Sequence, residues 1–412
     1  SILVKYYICE LLNLANVANT QGSLVMGDVG STLNIGSQNL TINTDYTNVA
    51  AGSGNSFNRR AGINGAGQVV AGGDAAQAIT GTQVSNGGTP NATLTIGNVR
   101  VGDTTFNYQV ANTGTTGPSL RGAIQTSVNG ANLSDTRLSG LGVTAGNYNT
   151  GAPGSNSGNL GVTFSAASAG VLAPLTGQVL NLRSNFSNIA DQKLNIALGA
   201  GAAAYNIAVG SAAPSPLVVV ANQRVGGTGS STLTLSNLAA PGLFSEALNA
   251  SFSATTGAAS NDGGSFTDLI AGGSNSTALR VGVDTSVAGT RSGSVTVAYQ
   301  SDGTGANGNS GLAAIAAGSQ TINVTGDVYR LASPTLSTAS ITLAARVGDS
   351  APGADIGLTN TSPDAFTERL DASLGAVAAG FSGAGSVTGL AAGATTNGFS
   401  IALDTSTAGS FA

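Results

Sequence analysis

The 412-residue chain contains 61 glycines but only 14 basic and 19 acidic residues, which gives a formal net charge of −5. It has one cysteine and neither histidine nor tryptophan, so a histidine general base, a Ser-His-Asp or Cys-His catalytic arrangement, a zinc site built on histidine and an internal disulfide are excluded. Nucleic acid is excluded as a partner because lysine occurs only as Lys5 and Lys193, too few for the dense basic surface that such binding needs.

Residues 1–20 form an apolar N-terminal segment that is interrupted by Lys5 and Glu10. The chain has no uncharged apolar run of about 18 residues, so no transmembrane segment is predicted, and the N-terminal segment lacks the small-residue cleavage site of a signal peptide. An apolar extended segment can add to the sheet edge of another molecule. We therefore expect a donor strand here, with subunit contacts through Ile2, Leu3, Val4, Tyr6 and Ile8.

Residues 21–91 form a strand-rich module in which short apolar runs are separated by glycine and asparagine. The clearest strand is the alternating run from Leu40 to Thr44. Two interpretations remain open for this module. It is either a small β-module or a few rungs of a β-solenoid, in which stacked short strands bury a continuous core.

The rest of the chain repeats itself. The tripeptide Arg-Val-Gly begins at Arg100, Arg224 and Arg346, with separations of 124 and 122 residues. Each tripeptide is followed by an alternating strand that ends in asparagine and, some 50 residues later, by a second shared segment that ends in glycine. Recurrence of the same patterns in the same order predicts three copies of one domain, over residues 92–215, 216–336 and 337–412.

The third copy is predicted to be incomplete. The second copy continues for 40 residues beyond Gly289, whereas only three residues follow the equivalent Gly409. We expect about two strands to be missing from the third copy. Either the sequence is a fragment of a longer protein, or the missing strands come from elsewhere.

Within each copy, apolar and polar residues alternate in short runs such as Thr232–Ser236 and Thr321–Thr325. This period of two is typical of half-buried strands, and the glycine- and asparagine-rich stretches between the runs are typical of turns. Seven to nine short strands in about 120 residues indicate an antiparallel sandwich of immunoglobulin type. The predicted fold class is all-β, with tandem immunoglobulin-like sandwiches after a small strand-rich module.

The repeated Arg-Val-Gly tripeptide is interpreted as a structural anchor. A single binding site would not need the same arginine in three domains, whereas a guanidinium that ties loop carbonyls or a carboxylate would recur with the fold. The predicted anchor residues are Arg100, Gly102, Arg224, Gly226, Arg346 and Gly348.

No enzymatic activity is predicted. The Gly-Asp-Ser triplet at Gly348 is similar to an esterase block, but such an enzyme needs a histidine base, which is missing. The chain has only three glutamates, and its aspartates are scattered, so a carboxylate pair for glycoside hydrolysis is not expected. No cofactor is predicted. Oxygen ligands from loop aspartates suit calcium, and the candidates for such a site are Asp262, Asp302 and Asp327.

The anchor tripeptide, the strand that ends in asparagine, the DTSxAG segment at Asp284 and Asp404, and the closing INVTGxVY at Tyr329 resemble the bacterial choice-of-anchor D repeats. The resemblance covers residues 92–412, and the N-terminal stretch is more loosely similar to filamentous-haemagglutinin-like chains. It implies immunoglobulin-like domains in tandem, in an exported or surface-bound structural protein. The family offers no catalytic residues to carry over.

Together these features predict a non-enzymatic extracellular protein that serves as the subunit of a bacterial surface fibre, filament or sheath. Its expected partner is itself, through strand addition or edge packing. Two alternatives remain open. One is an adhesin stalk that binds a host or glycan ligand, and the other is the secreted passenger of an autotransporter.

Overall fold

The computed structural model describes residues 5–8, 12–13, 19–27 and 29–412. Within these ranges the regular elements are 36 β-strands and three short 3-10 helices, with no α-helix, so the predicted all-β fold is confirmed. No helix in the described part of the chain is long and apolar enough to cross a membrane. The chain forms two compact units. The first comprises Ser1–Ile207, Ala240–Glu246 and Gly303–Ala313, and the second comprises Ala208–Ala239, Ala247–Asp302 and Ala314–Ala412.

The first unit begins with a parallel β-module, in which two ladders run β1-β3-β5-β7 and β2-β4-β6 with every pairing parallel. Successive short strands that stack in parallel are the rungs of a β-solenoid, the second of the two interpretations above. The elements are β1 (Lys5–Ile8), β2 (Leu12–Asn13), β3 (Asn19–Met26), β4 (Leu33–Asn34), β5 (Leu40–Asn48), β6 (Ile63–Asn64) and β7 (Val69–Ala71), with 3-10 helices at Val49–Ala51 and Gly54–Ser56.

Like residues stack from rung to rung in this solenoid. Leu40 lies beside Val69, and Leu33 lies beside Ile63, so apolar side chains form columns inside the module. Three residues of the first repeat, Leu120, Phe186 and Ile189, are buried in the same core. The solenoid core therefore continues into the first sandwich, which closes its end.

The first repeat is a sandwich of a four-stranded sheet, β14-β16-β12-β8, and a six-stranded sheet, β15-β13-β18-β19-β10-β9, with a small sheet β11-β20-β17 at its side. Tyr108, Phe164 and Leu180 are fully buried between the sheets. The elements are β8 (Gln77–Thr80), β9 (Val84–Ser85), β10 (Asn91–Ile96), β11 (Val99–Arg100), β12 (Gly102–Asn112), β13 (Leu120–Gln125), β14 (Leu138–Ser139), a 3-10 helix (Leu141–Val143), β15 (Gly146–Gly151), β16 (Leu160–Ala166), β17 (Gly170–Val171), β18 (Gln178–Ser184), β19 (Gln192–Leu198) and β20 (Ala203–Tyr205).

The second repeat, in the second unit, shows the same architecture. One sheet runs β21-β24-β28-β26, and the other runs β22-β30-β29-β25-β27, with β23 also paired to β30. This is the A-B-E-D sheet facing the G-F-C sheet of an immunoglobulin-like domain. The strands are β21 (Gly210–Ala213), β22 (Leu217–Val219), β23 (Gln223–Arg224), β24 (Ser230–Asn237), β25 (Ala247–Gly257), β26 (Ala259–Asn261), β27 (Ser265–Leu269), β28 (Ser274–Val283), β29 (Gly289–Asp302) and β30 (Ile315–Tyr329).

The third repeat contains a four-stranded sheet, β31-β32-β36-β34, and the pair β33-β35. Its core is thinner, with only Ile356, Leu358 and Phe399 buried. The strands are β31 (Pro334–Leu336), β32 (Gly353–Asn360), β33 (Leu370–Ser373), β34 (Phe381–Ala384), β35 (Ser386–Leu390) and β36 (Thr395–Leu403).

The first strand of each sandwich precedes the start that the sequence pattern suggested. Gln77–Thr80 pairs with β12 although the first repeat was placed from residue 92. Likewise β21 precedes residue 216, and β31 begins before residue 337. These edge strands lie before the Arg-Val-Gly anchor, so the repeated sequence pattern does not mark them.

The predicted donor strand is described only in part. Ile2, Leu3 and Val4 lie outside the described residues, and so does Cys9. Tyr6 and Ile8 belong to β1, whose backbone pairs in parallel with β3 of the solenoid. The role of this segment in subunit contact remains a prediction.

Two valines of the second repeat test the packing directly. Val281 is fully buried in the sandwich core, whereas Val287 is 55% exposed. Val281→Ala removes two buried methyl groups and leaves a cavity, so the free energy of unfolding should fall by about 2 kcal/mol. The same substitution at Val287 should change it by less than about 0.5 kcal/mol. Denaturant melts of the two variants measure this difference, and equal losses would contradict the assigned core.

Candidate functional site

The recurring features of the repeats converge on one backbone arrangement. In the first repeat, β11 pairs in parallel with β20, so that Arg100 lies beside Tyr205. In the second repeat, β23 pairs in parallel with the end of β30, so that Arg224 lies beside Tyr329. The anchor arginine and the closing tyrosine, which are more than 100 residues apart in sequence, are thus neighbours on one ladder.

A short segment docks on each of these ladders. Phe244-Ser245-Glu246 forms a parallel bridge with Asn206, in which Asn206 N–H donates to Phe244 O at 2.9 Å and Glu246 N–H donates to Asn206 O at 3.0 Å. In the second unit, Phe366-Thr367-Glu368 repeats this pairing on Arg330, with both hydrogen bonds at 3.0 Å. Each docked segment is a Phe-x-Glu tripeptide. It belongs to the repeat that follows the ladder in sequence.

The side chains of the two docking sites also match. Arg100 Nε donates to Glu246 Oε2 at 2.8 Å, and Arg224 Nε donates to Glu368 Oε1 at 2.6 Å. The phenylalanine of each tripeptide packs on the closing tyrosine, with ring centroids 5.8 Å apart in both Tyr205–Phe244 and Tyr329–Phe366. Each joint therefore combines a backbone bridge, an ion pair and an aromatic contact. We call this combination the Arg–Glu joint.

The two joints differ in burial. The Glu246 side chain is completely buried, and that of Arg100 is 17% exposed. Ser310 donates a further hydrogen bond to Glu246 Oε1, while Arg100 also donates to Ala313 O at 2.7 Å. In the second joint Arg224 is 67% exposed, and an ion pair between Arg330 and Asp364 lies next to it. A charge that is buried depends on its partner far more than one in water.

The anchor glycines meet the second shared segment. Gly226 N–H donates to Thr285 O, and Gly348 N–H donates to Thr405 O, both at 3.0 Å. Positive φ angles of +78° at Gly226 and +87° at Gly348 explain why glycine occupies these positions. In the first repeat Gly102 has a φ of +103° and starts β12 instead.

The aspartate of the second shared segment fixes its own turn. The Ser286 N–H donates to Asp284 Oδ1 at 2.9 Å, and the Ser406 N–H makes the same bond to Asp404. These backbone hydrogen bonds hold the pKa of both carboxyls below the usual range. The segment is thus a capped turn that fastens the anchor loop.

Among the predicted anchor residues, Arg100 and Arg224 each form a joint, whereas Arg346 lies exposed in a loop of the third repeat. No ion pair of Arg346 is found within the described part of the chain.

The Phe-x-Glu tripeptides were missed by sequence reasoning, although a signal was present. Two of the chain's three glutamates, Glu246 and Glu368, lie 122 residues apart, each two positions after a phenylalanine.

The candidate calcium ligands do not converge. Asp262 accepts the Gly264 N–H, Asp302 accepts the Asn249 side-chain amide, and Asp327 accepts the Thr290 hydroxyl. Within residues 5–8, 12–13, 19–27 and 29–412, no group of three or more acidic, cysteine or histidine side chains could hold a metal ion. Each of these aspartates instead accepts a hydrogen bond from another group of the protein.

Comparison with known protein families and with curated proteins finds no match. Among solved structures, the chain is similar to a protein of unknown function from Porphyromonas gingivalis, at 13% identity over 61% of this chain and 99% of that one, with a TM-score of 0.19. It is also similar to cadherin domains 3-6 of protocadherin gamma B2 (9% identity, 83% and 71% covered, TM-score 0.22) and to an I-band fragment of titin (11%, 76% and 86%, 0.21). These likenesses are too distant to bear on function, and the tandem immunoglobulin-like architecture rests on the strand order given above.

The two joints provide a matched pair for mutation. Arg100→Ala leaves the Glu246 carboxylate buried without its charge partner, which should destabilise the first unit by about 3–5 kcal/mol. Arg224→Ala removes the same contact in the exposed joint and should cost little, because solvent screens that pair. Denaturant melts compare the two variants, and equal losses would contradict the distinction drawn from burial.

Proposed function

We propose that this chain is a non-enzymatic extracellular structural protein, the subunit of a bacterial surface fibre, filament or sheath built from immunoglobulin-like repeats. The observation that carries the proposal is the Arg–Glu joint, because each joint fastens a segment of one repeat to the end of the preceding repeat in the chain. Its parts are two backbone hydrogen bonds, an ion pair and an aromatic contact, and they hold no reacting group.

An open groove in the third repeat supports self-association. The groove has a volume of about 840 Å³ and is lined by Ile341, Leu374, Phe381, Ile401 and Leu403 among others. Several of these side chains remain half-buried. Groove residues Ile401 and Leu403 of β36 correspond to Val281 and Val283 of β28, which are buried in the complete sandwich of the second repeat.

The second repeat indicates what fits such a groove. There β30 pairs in parallel with β22 and antiparallel with β29, and its Ile322, Val324 and Val328 are buried. A strand with the same alternation of apolar side chains would cover part of this groove. In the proposed fibre, a second copy of this chain supplies that strand to the groove by strand addition.

The test is association of the whole chain, measured by light scattering and electron microscopy. We expect concentration-dependent polymers that Ile401→Lys abolishes, because a charge in the groove blocks an incoming apolar strand. Val287→Lys, which places the same charge on an exposed site outside the groove, should assemble normally.

A peptide of residues 315–329, which is the β30 sequence, should compete with assembly. The same peptide with Ile322, Val324 and Val328 changed to serine should not compete. A chain that stays monomeric at all concentrations would overturn the proposal, as would polymers that are indifferent to both the groove variant and the peptide. Thermal melts of each variant show whether its repeats remain folded.

A further inference from the structure

A second cavity lies in the first unit, where the solenoid module meets the first repeat. Its volume is about 320 Å³, at the lower end of the range for sites that take small molecules. Its lining includes Tyr46, Phe57, Arg59, Arg121, Tyr148 and Asn149. The cavity shares no lining residue with the groove or with the Arg–Glu joints, and the proposed function does not use it.

The charge of this cavity has the opposite sign to that of the protein. Two guanidinium groups, Arg59 and Arg121, contribute to the lining, and no carboxylate does. Arg121 binds Asp45 with contacts of 3.1 and 3.3 Å, and Arg59 binds Asp191. Asp191 also lies 3.8 Å from Arg183, so one carboxylate serves two guanidinium groups and leaves a positive charge uncompensated there.

A donor is also left without an acceptor at this place. The Nε of Arg59 is buried and has no hydrogen-bond partner among the described residues, and the same holds for Nε of Arg183. Buried donors are almost always paired in proteins, so each exception needs an explanation. These two unpaired donors mark a local excess of guanidinium donors over acceptors around Asp191.

The remaining lining is suited to a hydroxylated ring. The Asn48 amide is engaged by Tyr46, Ala61 and Ala50. The amides of Asn147 and Asn149 also line the cavity, and amide groups match the donors and acceptors of sugar hydroxyls. Phe57 and Tyr148 contribute aromatic carbon to the same lining. Gly122 makes room for the tyrosine, since a Cβ at this position would lie 2.4 Å from Tyr148 Oη.

We propose that this cavity binds a sugar ring that carries a carboxylate, such as a uronic acid residue of an acidic glycan. The carboxylate pairs with the arginines, the amides bind the hydroxyls, and the aromatic side chains contact the carbon face of the ring. This inference does not rest on the proposed fibre, because a monomeric chain would bind the sugar equally well.

The experiment is a titration of the intact chain with glucuronate and galacturonate, in which binding is measured by calorimetry or by saturation-transfer NMR. Glucose, galactose and acetate are the matched probes, since each carries only part of the proposed ligand. We expect at least one uronate to bind at least tenfold more tightly than the neutral sugars and than acetate. Uronate binding no tighter than that of glucose would overturn the proposal, and so would acetate binding as tightly as the uronates.

Two variants and one control locate the site. Arg121→Gln should weaken uronate binding at least tenfold, and Asn149→Phe, at an exposed position of the lining, should obstruct the cavity. Arg137→Gln breaks a comparable ion pair, with Asp135, away from the cavity and should leave binding unchanged. If Arg121→Gln fails to fold, as judged by its melting temperature, Asn149→Phe decides alone. Unchanged binding in the folded variants would contradict the assignment.

Discussion

The buried carboxylate of Glu246 is the constraint on which the organisation of the first unit depends. A carboxylate removed from water is costly unless a cation and hydrogen-bond donors meet it, and Arg100 and Ser310 provide both. This requirement fixes where segment 240–246 lies, and it explains why that segment belongs to the first compact unit although its sequence lies within the second repeat. The exposed joint around Arg224 keeps the same geometry, but its ion pair contributes far less to stability because solvent screens it.

The start of the first repeat offers an instructive variation. It has no Phe-x-Glu tripeptide; its corresponding strand begins with Leu120 and Arg121. Leu120 is buried in the solenoid core, and Arg121 pairs with Asp45 of the solenoid. An apolar contact and an ion pair again join neighbouring modules, but the arginine now lies on the following module. An ion pair is thus kept at the junction, but its basic and acidic residues have exchanged modules.

Much of the fold could be predicted from local patterns. The alternation in Thr232–Ser236 and Thr321–Thr325 identified strands because period two is imposed by the sheet itself, and Arg-Val-Gly marked the repeats. The joint could not be predicted in this way, because Arg100 and Glu246 are 146 residues apart and local periodicity does not pair positions so distant in sequence. The solenoid stayed undecided for a related reason. Its stacked residues, such as Asn19, Leu40 and Val69, are unevenly spaced, so no repeat length shows in the sequence.

The backbone bridge of the Arg–Glu joint can be measured directly by hydrogen exchange of the intact chain. The amides of Asn206 and Glu246 donate across the first joint, and those of Arg330 and Glu368 donate across the second. We predict that all four exchange slowly, with protection close to that of amides inside the neighbouring strands. Exchange of these amides at the rate of open loops, while the strands on either side stay protected, would contradict the joint and the structural role drawn from it.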